Sequence, residues 1–159
     1  MAEVVEKDGV VYVNGIAMPD YHGTGNEDNE NEHQTSKDWS VTVSVGGYTY
    51  RIFINSGFIF DGASIPRALW RLCGHPFTCP RVAAALAHDW LYASHVVKRE
   101  VADEIYRELQ KVLGIGWWSR NTEYWTLRIF GGAAWNEKTA TQIQDANYIG
   151  RIEVYEIVK

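Results

Sequence analysis

The sequence has few cysteines and no long apolar segment. Only two of its 159 residues are cysteine, Cys73 and Cys79, and their spacing fits neither a CxxC pair nor a zinc knuckle. This excludes a disulfide-scaffolded secreted domain and favours a reducing compartment. The longest weakly polar run, Val82 to Ala87, is far shorter than the ~20 residues that cross a bilayer. The first residues hold no apolar core of a secretory signal, so we expect neither a signal peptide nor a transmembrane segment.

The sequence also lacks an excess of positive charge. Its net charge of −5 comes from 15 Lys and Arg against 20 Asp and Glu. Six acids and one base lie between Asp20 and Asp38, so this segment carries the whole imbalance. Because the remainder is electrically balanced, nucleic acid is an unfavoured partner. The segment is rich in Gly, Asn and Glu, and we expect a mobile acidic loop over 20–38, with His22 and His33 in solvent.

Two β-hairpins are predicted in the N-terminal part. β-Branched runs flank Asp8-Gly9 between Val4 and Val13, which is a strong hairpin signal. Alternating apolar residues over Trp39–Val45 and Tyr48–Ile54 surround a Gly46-Gly47 turn and predict a second hairpin. Alternation from Tyr148 to Val158 predicts a closing strand.

Helical spacing dominates the middle of the chain. Apolar positions and end signals predict four helices, over about 67–73 (after Pro66), 80–94, 98–113 and 121–135. Strands followed by helices and then a strand favour an α+β fold. We expect a single domain over 1–159, with a β-rich part (1–57), a helical core (58–137) and a closing strand (146–159).

One helix pair carries candidate chemistry. His88 and Tyr92 are four residues apart on one predicted helix and therefore share a face, with Asp89 about 100° away. A short link from Ala93 to Val97 makes the next helix antiparallel and brings Asp103 near this face. The Asp103 carboxylate could accept the proton of one His88 nitrogen, leaving the other as a base. Asp89, which is aimed differently, could bind a hard cation with backbone carbonyls.

This arrangement resembles the catalytic core of phospholipase A2, including its bacterial and viral versions. The similar features are His88-Asp89-x-x-Tyr92, the small residues before His88, and Asp103 on the partner helix. The resemblance implies that His88 activates water for attack on an ester carbonyl, and that Asp103 orients His88 and accepts a hydrogen bond from Tyr92. It also implies a Ca²⁺ ion on Asp89 that polarises the carbonyl.

The metal ligands are less well defined than the His88–Asp103 pair. Phospholipases of this type have a glycine-rich calcium loop shortly before the histidine, and the nearest counterpart here is Gly57 to Ser64. Within it, Asp61 is either a second metal ligand or a cap of the following short helix, together with Ser64. A Zn²⁺ site in which His75, Cys79 and His95 join His88 and Asp89 is a weaker alternative, because the spacing matches no ligand template.

A second resemblance covers about residues 58–135. The motifs Phe60 to Pro66, His88 to Tyr92, Ala102 to Tyr106, and Arg128 to Gly132 with Trp135 are similar to an uncharacterised domain family common in phages and prophages. This resemblance implies a location in the host cytoplasm or in the virion.

Two functions remain open at this point. In the first, the protein is a small hydrolase acting on a lipid or another ester. In the second, it is a non-catalytic virion component (tail or head) or a host-interaction protein, with other virion proteins as partners and the helix pair as a structural element.

Tryptophan is unusually frequent, with seven residues in the chain. For Trp117, Trp118 and Trp125 we expect interior packing; the alternative is an interfacial belt on a lipid surface, with Arg120 beside it.

Overall fold

The computed structural model describes residues 2–62, 67, 70–73 and 75–159. Its strands are β1 (Val4–Lys7), β2 (Val10–Val13), β3 (Ile16–Ala17), β4 (Tyr21–Gly23), β5 (His33–Thr35), β6 (Trp39–Val45), β7 (Tyr48–Ile54), β8 (Ile59–Phe60) and β9 (Gly150–Glu156). Its helices are α1 (Trp70–Cys73), α2 (Arg81–Ser94), α3 (Arg99–Val112), α4 (Trp117–Asn136) and α5 (Ala140–Ile149).

The predicted hairpin of β6 and β7 forms one side of the core. Val41 and Val43 on β6, and Ile52 and Ile54 on β7, are buried, whereas the intervening β6 residues are exposed. This alternation places one face of the hairpin against α3. The predicted closing strand is also present, because β9 pairs antiparallel with β7 from Gly150 opposite Ile54 to Glu156 opposite Tyr48.

Helix α2 is the central element of the helical part. Its residues 82–88 are all buried, and their small side chains let α3 pack closely against it as the antiparallel partner. Helix α5 packs on α2, where the indole Nε1 of Trp90 donates to the carbonyl of Ala146 at 2.9 Å. Helix α4 packs mainly on α3. The fold is α+β, as predicted.

Helix α5 was missed by the sequence analysis, and the predicted closing strand began too early. Residues 146–149 form the last turn of α5, so β9 starts at Gly150. The helix begins with a capping box in which Thr139 and Gln142 exchange hydrogen bonds between side chain and backbone. The predicted start of α4 was also wrong, because this helix begins one turn before Asn121, whose side chain donates to the carbonyl of Trp117.

The acidic segment is more ordered than a free loop. Its two ends pair as β4 and β5, and β5 also pairs with β8. The His33 ring is half-buried and lies 4.2 Å from the Phe77 ring, so the expectation of a solvated His33 was wrong, whereas His22 is exposed. The predicted mobile loop also includes Thr35, which is buried and accepts a hydrogen bond from the Phe58 amide.

Two further sequence predictions concern helix ends and aromatic residues. The predicted helix 67–73 is observed as Trp70–Cys73, and its expected start at Pro66, with Ser64 as a possible cap, lies outside the described residues. The prediction that the α4 tryptophans pack in the interior was wrong, because Trp117, Trp118 and Trp125 are exposed.

In the described part of the chain, none of the helices has the length and apolar character to cross a membrane.

The close approach of Gly150 to α2 leads to a stability prediction. A Cβ atom at Gly150 would lie 2.6 Å from Cε2 of Trp90 and 2.9 Å from the Phe53 carbonyl oxygen. We therefore expect Gly150→Ala to lower the free energy of unfolding by about 1–3 kcal/mol through overpacking. Urea denaturation measures this, with Gly23→Ala, where a Cβ atom meets nothing within 4 Å, as the control. Equal stability of the two variants would contradict the close approach.

Candidate functional site: a buried carboxylate on the helix pair

The site is built around the Asp103 carboxylate, which has no exposed surface. One oxygen, Oδ1, accepts hydrogen bonds from His88 Nε2 at 2.9 Å and from the Tyr92 hydroxyl at 2.7 Å. The other oxygen, Oδ2, accepts from Arg128 Nη1 at 2.7 Å. Helices α2, α3 and α4 therefore each contribute a side chain to one cluster, and the structure brings together the three predicted catalytic residues.

The donors around Asp103 decide its charge. Burial by itself would raise the pKa of Asp103, but the hydrogen bonds from His88, Tyr92 and Arg128 outweigh it and hold the pKa below its ordinary value. Burial and the hydrogen bond to Asp103 raise the pKa of Tyr92. Asp103 is thus a carboxylate at neutral pH, and Tyr92 is a neutral hydrogen-bond donor.

The His88 ring is held from both sides. Its centroid lies 4.1 Å from that of Tyr92 and 4.8 Å from that of Tyr106, and the residue is only 2% exposed. Because Asp103 is ionised, its bond to Nε2 favours the tautomer that carries the proton on this nitrogen. Nδ1 is then the nitrogen with a lone pair that can accept a proton.

Asp89 holds a backbone loop rather than extending the His88 cluster. Its Oδ2 accepts hydrogen bonds from the Gly62 amide at 2.7 Å and the Asp61 amide at 3.2 Å. Burial, followed by the charge of Asp61, raises the pKa of Asp89 to about 6, although the Gly62 amide acts in the opposite direction. The Asp61 side chain accepts from Asn29 Nδ2 at 2.9 Å, which ties the acidic segment to the same loop.

A calcium ion at Asp61 and Asp89 stays a prediction. The structure brings the two predicted ligands, Asp61 and Asp89, together, but the loop directs amide donors at Asp89, whereas a Ca²⁺ ion needs oxygen acceptors around it. Within residues 2–62, 67, 70–73 and 75–159, His, Cys, Asp and Glu form no group of three or more that could hold a metal.

Two of the histidines considered as zinc ligands, His75 and His95, pack against tryptophan rings. The His95 ring stacks on Trp135 at 3.9 Å, and one of its nitrogens contacts the Trp135 carbonyl. The His75 ring packs at 4.5 Å against Trp70.

A cleft adjoins the site on the side of β8 and α5. A cavity of about 60 Å³ is bordered by Asp61, Asp89 and Tyr92 among others. A larger cavity of about 390 Å³ shares Phe58, Ile59, Ala93 and Lys138 with its lining, and extends along α5. The smaller space has room for about one or two water molecules, and the larger one for an organic group.

Sequence reasoning missed the role of α4 in the site. Arg128 pairs with both Asp103 and Glu100, and Gly131 leaves room for Tyr92, whose hydroxyl oxygen would lie 2.6 Å from a Cβ atom there. The motif Arg128 to Gly132 was noted without a role for its residues. A second buried cluster was missed as well: Glu123 accepts hydrogen bonds from Tyr106 at 2.8 Å and from Gln110, and pairs with Arg81.

Fold and site together define an α+β protein in which an antiparallel helix pair encloses a His–Asp–Tyr cluster completed by an arginine. The chain belongs to the family described as "Protein of unknown function (DUF1353)", which matches residues 37–127. This range includes His88, Tyr92 and Asp103 and ends one residue before Arg128.

One curated protein is similar to this chain over about half of the chain's length. The chain is 27% identical over 81 residues to "Uncharacterized protein y4jT" of Sinorhizobium fredii (strain NBRC 101917 / NGR234). The matched region is 49% of this chain and 23% of that protein, so the chain spans about a quarter of its relative's length. None of the solved structures matches the chain significantly.

The ion pairs of Asp103 predict a large stability effect. We expect Asp103→Asn to lower the free energy of unfolding by about 3–5 kcal/mol at neutral pH, since it leaves the Arg128 charge without its buried partner. The lowered pKa of Asp103 means that its contribution is present above the ordinary carboxyl pKa and is lost in acid, so the difference from wild type should shrink there. Urea titrations measure both effects, with the exposed Asp145→Asn as the control. A loss no larger than that of the control would contradict the central role of Asp103.

The raised pKa of Asp89 predicts a pH dependence of stability opposite to that of Asp103. The unfolded chain ionises this group near 3.8 and the folded chain near 6, so the folded state binds more protons between these values and loses stability as the pH rises through them. Asp89→Asn keeps an oxygen for the two amides and removes the ionisation. We expect its stability relative to wild type to increase by about 2 kcal/mol between about pH 4 and about pH 7. Parallel pH curves for the two proteins would show that Asp89 does not ionise as inferred.

Proposed function

We propose that the protein is a small hydrolase in which His88, oriented by Asp103, activates a water molecule for attack on an ester. The observation that carries this proposal is the bond from His88 Nε2 to the buried Asp103, which favours a lone pair on Nδ1. In the reaction, a water proton moves to Nδ1, the hydroxide oxygen bonds to the carbonyl carbon, and the proton then passes to the leaving alkoxide as the ester bond breaks.

The surroundings of Asp103 suit a positioning residue. Tyr92 shares the oxygen that faces His88, and Arg128 neutralises the other oxygen. These bonds fix the Asp103 carboxylate, which in turn holds the His88 ring in one orientation and one tautomer. Asp103 and Tyr92 are therefore positioning residues that orient His88. Asp89 positions the loop at Asp61 and Gly62, which borders the smaller cavity.

The adjoining cleft supports an ester with an apolar part. Phe58, Ile59, Ala146 and Ile149 contribute apolar surface to the larger cavity, and Lys138 borders both cavities. An acyl chain could lie along α5 with its ester near Tyr92, whose ring contacts His88. A lipid-like ester is therefore the proposed substrate class, and phage or prophage origin remains part of the proposal.

One observation favours a second candidate. His88 is buried, and the described residues that line the two cavities do not include it. A histidine sealed between two tyrosines is also the arrangement of a structural hydrogen-bond network. The second candidate is a non-catalytic phage component, in the virion or at a host protein, that uses the helix pair only for folding.

Hydrolysis assays separate the two candidates. We expect wild-type protein to hydrolyse short-chain phosphatidylcholine or a p-nitrophenyl ester, and His88→Gln to lose at least about 100-fold in rate, as removal of a general base does. His22→Gln, at an exposed histidine outside the site, should keep full activity. Assays with Ca²⁺ and with a chelator test the separate prediction of a calcium ion on Asp89 and Asp61, and equal rates would remove the ion from the proposal.

The controls make a negative result informative. Circular dichroism and urea titration establish that His88→Gln is folded under the assay conditions. Equal activity in wild type and a folded His88→Gln would rule out His88 as the base. An absence of activity in wild type with every ester tested would support the non-catalytic candidate.

A further inference from the structure

The outer face of α4 carries the largest exposed aromatic surface in the described part of the chain. Trp118, Trp125 and Ile129 are 80%, 60% and 69% exposed, and Trp117 and Phe130 are more than half exposed. Together with Thr122 these side chains border a shallow groove. Positions 118, 122, 125 and 129 are spaced by four, three and four residues, which places them in one stripe along the helix. We call this stripe, with its flanking Trp117 and Phe130, the α4 outer face.

We propose that the α4 outer face binds a second copy of this chain, with two α4 helices antiparallel about a twofold axis at Trp125. Such an axis places Trp118 of one copy opposite Gly132 of the other. A large side chain then meets a small one at two symmetric positions, so the face is complementary to itself.

Gly132 supplies independent support for this pairing. A glycine inside a helix costs about 1 kcal/mol relative to alanine, so it needs a packing reason. Its neighbour Gly131 has one within the chain, since a Cβ atom there would collide with Tyr92. Gly132 has none, because a Cβ atom there would meet nothing within 4 Å. A gap opposite the partner's Trp118 gives this glycine a role.

The size and charge of the face also suit a dimer. A buried aromatic side chain covers about 150–250 Å², so the five exposed large side chains offer on the order of 600 Å² per copy, near the ~800 Å² of a standard interface. The one acid of α4, Glu123, is buried on the inner side. The stripe residues at 118, 122, 125, 129 and 132 carry no charge, so the pairing places no like charges opposite each other.

A bilayer is the competing occupant, and the geometry favours the second copy. A lipid surface has no need for the gap at Gly132. Arg128 and Gly131, which contact the Asp103 cluster, lie on the inner side of α4. A membrane on the outer face would therefore lie away from the candidate site.

Mixing two single variants tests the pairing directly. Trp118→Ala leaves a cavity opposite Gly132, and Gly132→Trp puts two tryptophans against each other, so we expect either variant alone to be mainly monomeric. In a mixture each alanine or glycine faces a tryptophan of the other variant, and the heterodimer should form. Sedimentation velocity and light scattering on wild type, the two variants and their mixture measure this, with Tyr148→Glu, at an aromatic residue of α5 that is 91% exposed, as the control that should stay dimeric.

Each outcome supports or overturns the pairing. A wild-type dimer, monomeric single variants and a dimeric mixture would support it. A monomeric wild type at its highest soluble concentration would overturn it, as would a wild-type dimer whose single variants fail to associate on mixing. Flotation of monomeric wild type with phosphatidylcholine–phosphatidylglycerol vesicles, lost in Trp125→Glu, would overturn it in favour of a lipid surface. Circular dichroism confirms that every variant is folded.

Discussion

A carboxylate without exposed surface has to be surrounded by donors, and in this protein that requirement falls on Asp103. Its charge persists because His88, Tyr92 and Arg128 replace the water that it lost. These donors come from α2 and α4, whereas Asp103 is on α3. One ion cluster therefore constrains the rotation of all three helices about their axes, and the small residues of α2 and Gly131 of α4 allow the helices to approach closely enough to complete it.

The predictable part of the site is the part that depends on local spacing. His88 and Tyr92 share a face because they are four residues apart, and Asp103 meets them because the link between α2 and α3 is short. Arg128 could not be predicted in the same way, since its contact depends on how α4 rotates against α3 over a separation of 25 residues. The orientation of the loop at Asp61 and Gly62 was not readable either, because an Asp–Gly pair can direct either amides or carbonyls at a neighbour.

The fold shows the same division between local and non-local information. The hairpins at Asp8-Gly9 and Gly46-Gly47 were predicted because turn and strand signals agree over a few residues. Helix α5 was missed although Thr139 and Gln142 form a capping box, because the alternating pattern near the C-terminus favoured a strand over residues that form its last turn. The α4 tryptophans were wrongly predicted to lie in the core, because an apolar stripe at 118, 125 and 129 does not by itself indicate which side of the helix faces the core.

The pairing of β7 with β9 links the two ends of the fold. Strand β7 finds β6 after a two-residue turn, but its other edge is completed by residues about a hundred positions later. Contacts over such a separation form slowly, because the intervening chain must first be ordered. During synthesis, the edge of β7 therefore stays unpaired until α2 to α5 have emerged. Gly150, the first residue of β9, lies against Trp90 of α2, so the packing of this helix bears directly on the strand that completes the sheet.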